Sequence, residues 1–152
     1  MSKTNENRAE AEECPVARAL DIVGDRWSLM IIRDAFDGVR RFGEFRRNLG
    51  LAKNILAGRL RELVEHNILM IVPASDGSAY HEYVLTDKGR QLFPIVVSLR
   101  QWGEEHLFSA GEKYSILVDN QSGQPISKLT VSSQQGTILD ASDCHREKVI
   151  KR

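Results

Sequence analysis

Along LAKNILAGRLREL, Leu51 to Leu63, the apolar residues Leu56, Leu60 and Leu63 recur at helical spacing, while Asn54, Ala57, Gly58 and Arg61 fall on other sides of the same cylinder. The spacing predicts a helix from Ala52 to His66, with Asn67 suited to the left-handed position just past its end. The same period appears three times upstream. Val16, Leu20 and Val23 mark a helix opened by Cys14-Pro15 and ended by Gly24; proline is tolerated at a first helical position because its missing N–H loses no bond there. Trp27 to Phe36 predicts a second, strongly apolar core helix stopped by Asp37-Gly38, and Phe42, Phe45 and Leu49 predict a short third one. Asn48-Leu49-Gly50 is then a tight turn between two helices, a helix-turn-helix unit.

The period changes after Asn67. ILMIVP and YHEYVLT are β-rich runs on either side of ASDGSA, so the chain from Ile68 to Thr86 predicts a hairpin, or wing, with Ser75, Asp76, Gly77 and Ser78 at its tip. Thr86 can cap a further helix whose stripe runs through Leu92, Val96, Leu99, Trp102 and Leu107, and Pro94 should kink that helix. YSILVD, ISKLTV and GTIL predict a small β-extension. The expected organisation is a disordered acidic arm over 1–13, a winged helix-turn-helix domain over 14–110, a β-extension over 111–143 and a flexible basic tail over 144–152. The fold class is mainly α with a small β component.

Composition adds bounds. With 152 residues, 41% hydrophobic and 28% charged, the chain has the makings of one main domain with a real core. No run approaches the ~20 apolar residues of a membrane helix, and MSKTNENRAEAEEC lacks the features of a secretion signal or transit peptide, so a cytoplasmic protein without membrane partners is expected. Two cysteines, Cys14 and Cys144, are too few for a disulfide framework. Cys144-His145 offers two metal ligands where a structural zinc needs four, so no metal or other cofactor is assigned. His66, His81, His106 and His145 form no catalytic pattern with Cys14 or a serine, which argues against an enzyme.

The formal net charge is zero, but its distribution is uneven. Between Gly38 and Arg61 the cations Arg40, Arg41, Arg46, Arg47, Lys53, Arg59 and Arg61 face a single acid, Glu44. This cluster, placed on a helix-turn-helix, points to double-stranded DNA: Arg40, Arg41, Arg46, Arg47 and Lys53 for phosphate, and Asn54 and Arg61 for base edges. Ala57 suits a thymine methyl, and Gly58 lets a backbone come close. Arg59 lies nearer the core side. The alternative from another class is a winged-helix module that binds protein, which would present a more apolar or aromatic face.

These elements and residues together resemble one family. CPVARALDIVGDRWSLMIIRDAF, then RRFGEFRRNL, LAKNILAGRLREL, EYVLTDKG and LRQWG, resemble the HxlR-type winged helix-turn-helix transcriptional regulators, relatives of the MarR group; the match covers roughly Cys14 to Leu107. The resemblance implies a homodimer on operator DNA, with Ala52 to His66 in the major groove. It also implies a dimer interface of terminal helices, here carrying Val16, Leu20, Leu92, Val96, Leu99 and Trp102. In several such regulators the cysteine at the Cys-Pro motif senses oxidants, which makes Cys14 a candidate thiol sensor; a small-molecule effector is the other expected input. Cys14 sits at a helix N-terminus, where the dipole favours the reactive thiolate, while Glu12 and Glu13 oppose it. Two features depart from the family pattern. The wing segment Ile68 to Thr86 has no Lys or Arg and carries Asp76, and the shortest members lack the β-extension.

Overall fold

The computed structural model describes residues 12–149, so most of the expected N-terminal arm and the last three residues of the tail lie outside the described residues; Glu12 and Glu13 have helical backbone. The described chain forms two compact units, which part between Pro94 and Ile95. No helix among the described residues is long and apolar enough to cross a membrane.

The first unit is built around its second helix. Helix α1 spans Pro15–Val23, with Cys14 at its N-cap making no side-chain capping bond and a proline in its first turn. Helix α2, Arg26–Phe36, starts where the Asp25 carboxylate accepts the Ser28 N–H at 2.9 Å. This cap satisfies one of the donors that every helix start leaves open. Ile31 and Ile32 are fully buried, and α2 packs against α1, α3, α4 and strand β2. Helix α3 is Phe42–Leu49 and α4 is Lys53–Glu65. They are joined by Gly50 in the left-handed region at φ 64°, a conformation that a side chain disfavours. Phe45, Leu56 and Leu60 are fully buried and Leu63 nearly so, which seats both helices on the core. Truncating one such leucine to alanine costs about 2–5 kcal/mol.

Asn67 takes φ 59°, turning the chain from α4 into the hairpin as its position past the helix end predicts. Strand β1, Leu69–Pro73, pairs antiparallel with β2, His81–Leu85, in the register Leu69↔Leu85 to Pro73↔His81. Gly77, at φ 74°, lies in the connecting turn. The segment entering α3 joins this sheet by one bond, from the Tyr83 N–H to the Arg40 carbonyl at 2.8 Å.

The sequence expectation of one kinked helix after the wing is corrected. Thr86 caps a separate short helix, α5, Asp87–Arg90, and a new helix, α6, runs over Phe93–His106 with Pro94 as its second residue. Proline lacks the N–H that would continue α5, but its fixed φ suits a first turn, so Pro94 starts a helix instead of kinking one.

The second unit comprises most of α6 and the extension. That extension holds less β-structure than YSILVD, ISKLTV and GTIL suggest: β3, Val131–Ser132, pairs with β4, Ile138–Leu139, and a single bridge joins Val118 to Pro125. A 3₁₀ turn at Ala141–Asp143 follows. No residue from 112 to 149 is buried, so alternation has no core face to serve and long strands gain little. Side chains of α6 hold the extension instead. The Gln101 amide donates to the Ser127 carbonyl at 3.0 Å and accepts the Leu129 N–H at 2.8 Å, while Arg100 donates to the Ser115 carbonyl at 2.7 Å.

Candidate nucleic-acid interface

Helix α4 turns its buried leucines toward the core and leaves Lys53, Asn54 and Arg61 exposed, with Ala57 and Gly58 half-exposed beside them. A Cβ built on Gly58 meets nothing within 4 Å, and its φ is not positive. Glycine inside a helix costs roughly 1 kcal/mol relative to alanine. Neither backbone geometry nor packing among the described residues calls for it at this position. Arg46 and Arg47 lie on the exposed side of α3.

The cations that the sequence groups together divide into two sets. The side chains of Arg46, Arg47, Lys53 and Arg61 make no hydrogen bond or ion pair among the described residues. Arg40, Arg41 and Arg59 are all engaged. Arg59 lies 3.6 Å from the Asp25 carboxylate and 3.1 Å from Glu62, tying α4 to the start of α2. Burial pushes the Asp25 carboxyl up, but the Ser28 hydrogen bonds and the Arg59 charge outweigh it and hold the group below its ordinary value.

Arg40 and Arg41 reach the wing. Glu82 is buried on β2, and its carboxylate accepts the Ser75 N–H at 2.7 Å and the Ser75 hydroxyl at 2.9 Å; Arg40 stands 3.6 Å away. Those Ser75 bonds, followed by the charges of Arg40 and Arg41, keep Glu82 below the usual carboxylate range. At the tip, Asp76 accepts the Ser78 N–H at 3.0 Å and the Arg41 Nη2 at 2.6 Å. Arg41 also lies over the Tyr80 ring, 5.5 Å from its centroid. Ser78 first, and then Arg41, lower the Asp76 pKa to about 2.

Of the wing residues expected from sequence, Ser75, Asp76 and Ser78 thus take part in this arrangement. Tyr80 and Glu82 were not among them, although an acid in a strand without Lys or Arg is a signal that its cationic partner lies elsewhere in the chain. Cys14 is half-buried. Of the residues expected at a dimer interface, Val16 and Leu20 on α1 and Leu99 and Trp102 on α6 are exposed, while Leu92 and Val96 are half-buried.

Comparison with known proteins agrees with this architecture. A family model described as HxlR-like helix-turn-helix matches residues 22–110. An uncharacterised HTH-type transcriptional regulator of Mycobacterium bovis is 52% identical over 101 residues, which make up 66% of this chain and 63% of the relative, so the match spans less than two thirds of that protein's length. Among solved structures, PA1607, described provisionally as a transcription factor, superposes with a TM-score of 0.85 at 54% identity, covering 90% of this chain and 95% of that one. The redox regulator HypR in its reduced form superposes with a TM-score of 0.57 at 35% identity, covering 62% of this chain and 94% of its own. The matched stretch contains the whole helix-turn-helix and the hairpin that follows it, and the chain belongs to the HxlR-like helix-turn-helix family.

Proposed function

We propose that the chain is a homodimeric, sequence-specific DNA-binding transcriptional regulator, a repressor whose operator affinity is modulated by a small molecule or by thiol oxidation. Residues 14–110 form the regulatory domain in this reading. The observation that carries it is the outward strip of α4, where Lys53, Asn54 and Arg61 make no side-chain hydrogen bond or ion pair among the described residues and the space beside Gly58 is open. Asn54 is suited to bidentate bonding with adenine and Arg61 with guanine, and Ala57 to a thymine methyl. Lys53, Arg46 and Arg47 supply phosphate contacts around them. This low, polar, cationic strip suits a protein-binding module less well than an apolar or aromatic face would.

The dimer reading rests on the exposed apolar side chains of α1 and α6. At 100° per residue, Leu99 and Trp102 lie on the side of α6 opposite Gln101 and Glu104, so the extension bound through Gln101 leaves that stripe open. A second copy covers such a stripe, and a dimer reads paired half-sites. Cys14 at the α1 N-cap is the candidate thiol, and a redox role in HypR, a relative in structure, supports giving it one. For a small effector, an open cavity of about 260 Å³ among Phe36, Val39, Tyr83 and Leu85 offers Arg40 and Arg90 to an acidic group. Its size suits a ligand smaller than the drug-sized range.

Selection of bound duplexes from a random pool at fixed salt tests the main reading. A pseudo-palindromic sequence should emerge, with affinity falling steeply as salt rises. Arg46→Ala and Arg47→Ala should each lower the salt slope by about one for every phosphate no longer neutralised, whereas Arg59→Ala should not. No enrichment above background would favour the protein-binding module.

A further inference from the structure

The hairpin from Ile68 to Thr86 contains no Lys or Arg, yet the structure places a guanidinium at its tip. It belongs to Arg41, 35 positions upstream, and three groups of the wing hold it: the Asp76 carboxylate at 2.6 Å, the Ser78 hydroxyl at 3.4 Å and the face of Tyr80. Glu82 stands 4.0 Å away. All the polar contacts fall on one nitrogen, Nη2. The Nε and Nη1 donors of Arg41 have no hydrogen-bond partner among the described residues, and the side chain is 38% exposed. A guanidinium carries five N–H donors in a planar fork. Binding through one corner fixes its direction and leaves the remaining donors for an oxygen ligand.

We infer that Arg41 serves as the phosphate-binding cation of the wing, lent to it by the preceding loop, and that Asp76 is a positioning residue that aims it. This rests on the DNA-binding reading and assigns a role for which the wing's own sequence offers no Lys or Arg. Arg41 touches the DNA phosphate; Asp76 and Tyr80 act through Arg41. An exposed arginine sampling many rotamers loses entropy on binding a phosphate, and an ion pair combined with a ring face removes part of that cost beforehand. The arrangement inverts the simple electrostatic expectation. Removing a carboxylate beside DNA ordinarily strengthens binding, because it removes a repulsion toward phosphate. Here the same removal releases the arginine that holds the phosphate.

The test measures affinity for the duplex that the wild-type chain enriches from a random pool, by anisotropy across a range of salt. Asp76→Asn should weaken binding about fivefold to tenfold despite the loss of a negative charge. It should also lower the salt slope by about one per protomer, the change expected when one phosphate is no longer neutralised. Asp76→Glu should restore part of the affinity. In an Arg41→Ala background, Asp76→Asn should no longer weaken binding. Tyr80→Leu, which leaves every charge in place, should also weaken it and serves if Asp76→Asn disturbs the turn. Equal or tighter binding by a folded Asp76→Asn protein overturns the inference while the DNA-binding reading stands. Absence of any enriched duplex overturns that reading, and this inference with it.

Discussion

Arg59 Nε lies 3.6 Å from the Asp25 carboxylate, the same group that caps α2 through the Ser28 N–H. One acid therefore serves both the start of the core helix and the seating of α4. Asp25→Ala should destabilise the fold by about 1 kcal/mol, within the range for losing an N-cap, and thermal unfolding should register it as a lower Tm. Arg59→Ala should cost less, because partly exposed ion pairs contribute about 0–1 kcal/mol. If Arg59→Ala proved the more damaging, the ion pair rather than the cap would be holding these helices.

Gly58 separates the demands of folding from those of binding. Open space surrounds its missing side chain, so Gly58→Ala should stabilise the protein by up to about 1 kcal/mol through helix propensity alone. Gly58→Leu should also fold, since nothing among the described residues meets its Cβ, yet lose affinity for the selected duplex by tenfold or more. Thermal melts and DNA titrations on the same preparations check both expectations. Unchanged DNA affinity in Gly58→Leu would remove α4 from the proposed groove.

Much of this was legible in the sequence. Leu56, Leu60 and Leu63 declare a helix because burial follows a fixed period, and Gly50 and Asn67 mark their turns because left-handed backbone restricts residue choice. Other features escaped for physical reasons. Pro94 fits a first turn as well as it breaks an interior, so the sequence alone does not choose between the two. Arg40 and Arg41 looked identical to Arg46 and Arg47 as a run of charge. Their partners Asp76 and Glu82 lie more than thirty residues away and are brought near only by the hairpin register. The expected small β-extension is present, but its strands are short because β-branched composition reports suitability for a pleated, half-buried surface, and residues 112–149 bury none of their number.

The Asp76 pKa of about 2, against an ordinary 3.8, predicts how the wing responds to acid. The folded wing prefers the ionised carboxylate. Its stabilising contribution is therefore complete above about 3.8 and is lost as pH falls through about 2. A carboxyl-detected NMR titration should place the Asp76 midpoint near 2. In Arg41→Ala the midpoint should rise only part of the way to 3.8, because the Ser78 bonds are the larger cause and remain. A full return to 3.8 would show that Arg41, not the turn, sets the ionisation.

The α6 stripe bears on oligomeric state. Trp102 and Leu99 are 58% and 52% exposed, an unfavourable placement for large apolar groups in a monomer, and Val16 and Leu20 on α1 are 65% and 57% exposed. Single exposed apolar residues are ordinary, but a stripe at helical spacing is the mark of a surface that meets a partner. Gln101, on the opposite side of α6, is already occupied by Ser127 and Leu129, so substitution on the stripe leaves the extension's anchors intact. Sedimentation equilibrium at micromolar concentration should give a dimer for the wild type. Trp102→Glu combined with Leu99→Glu should give a folded monomer that binds the selected palindrome at least tenfold more weakly, while a single half-site is bound as before. A wild-type monomer, or a double variant that stays dimeric, would move the dimer interface away from α6.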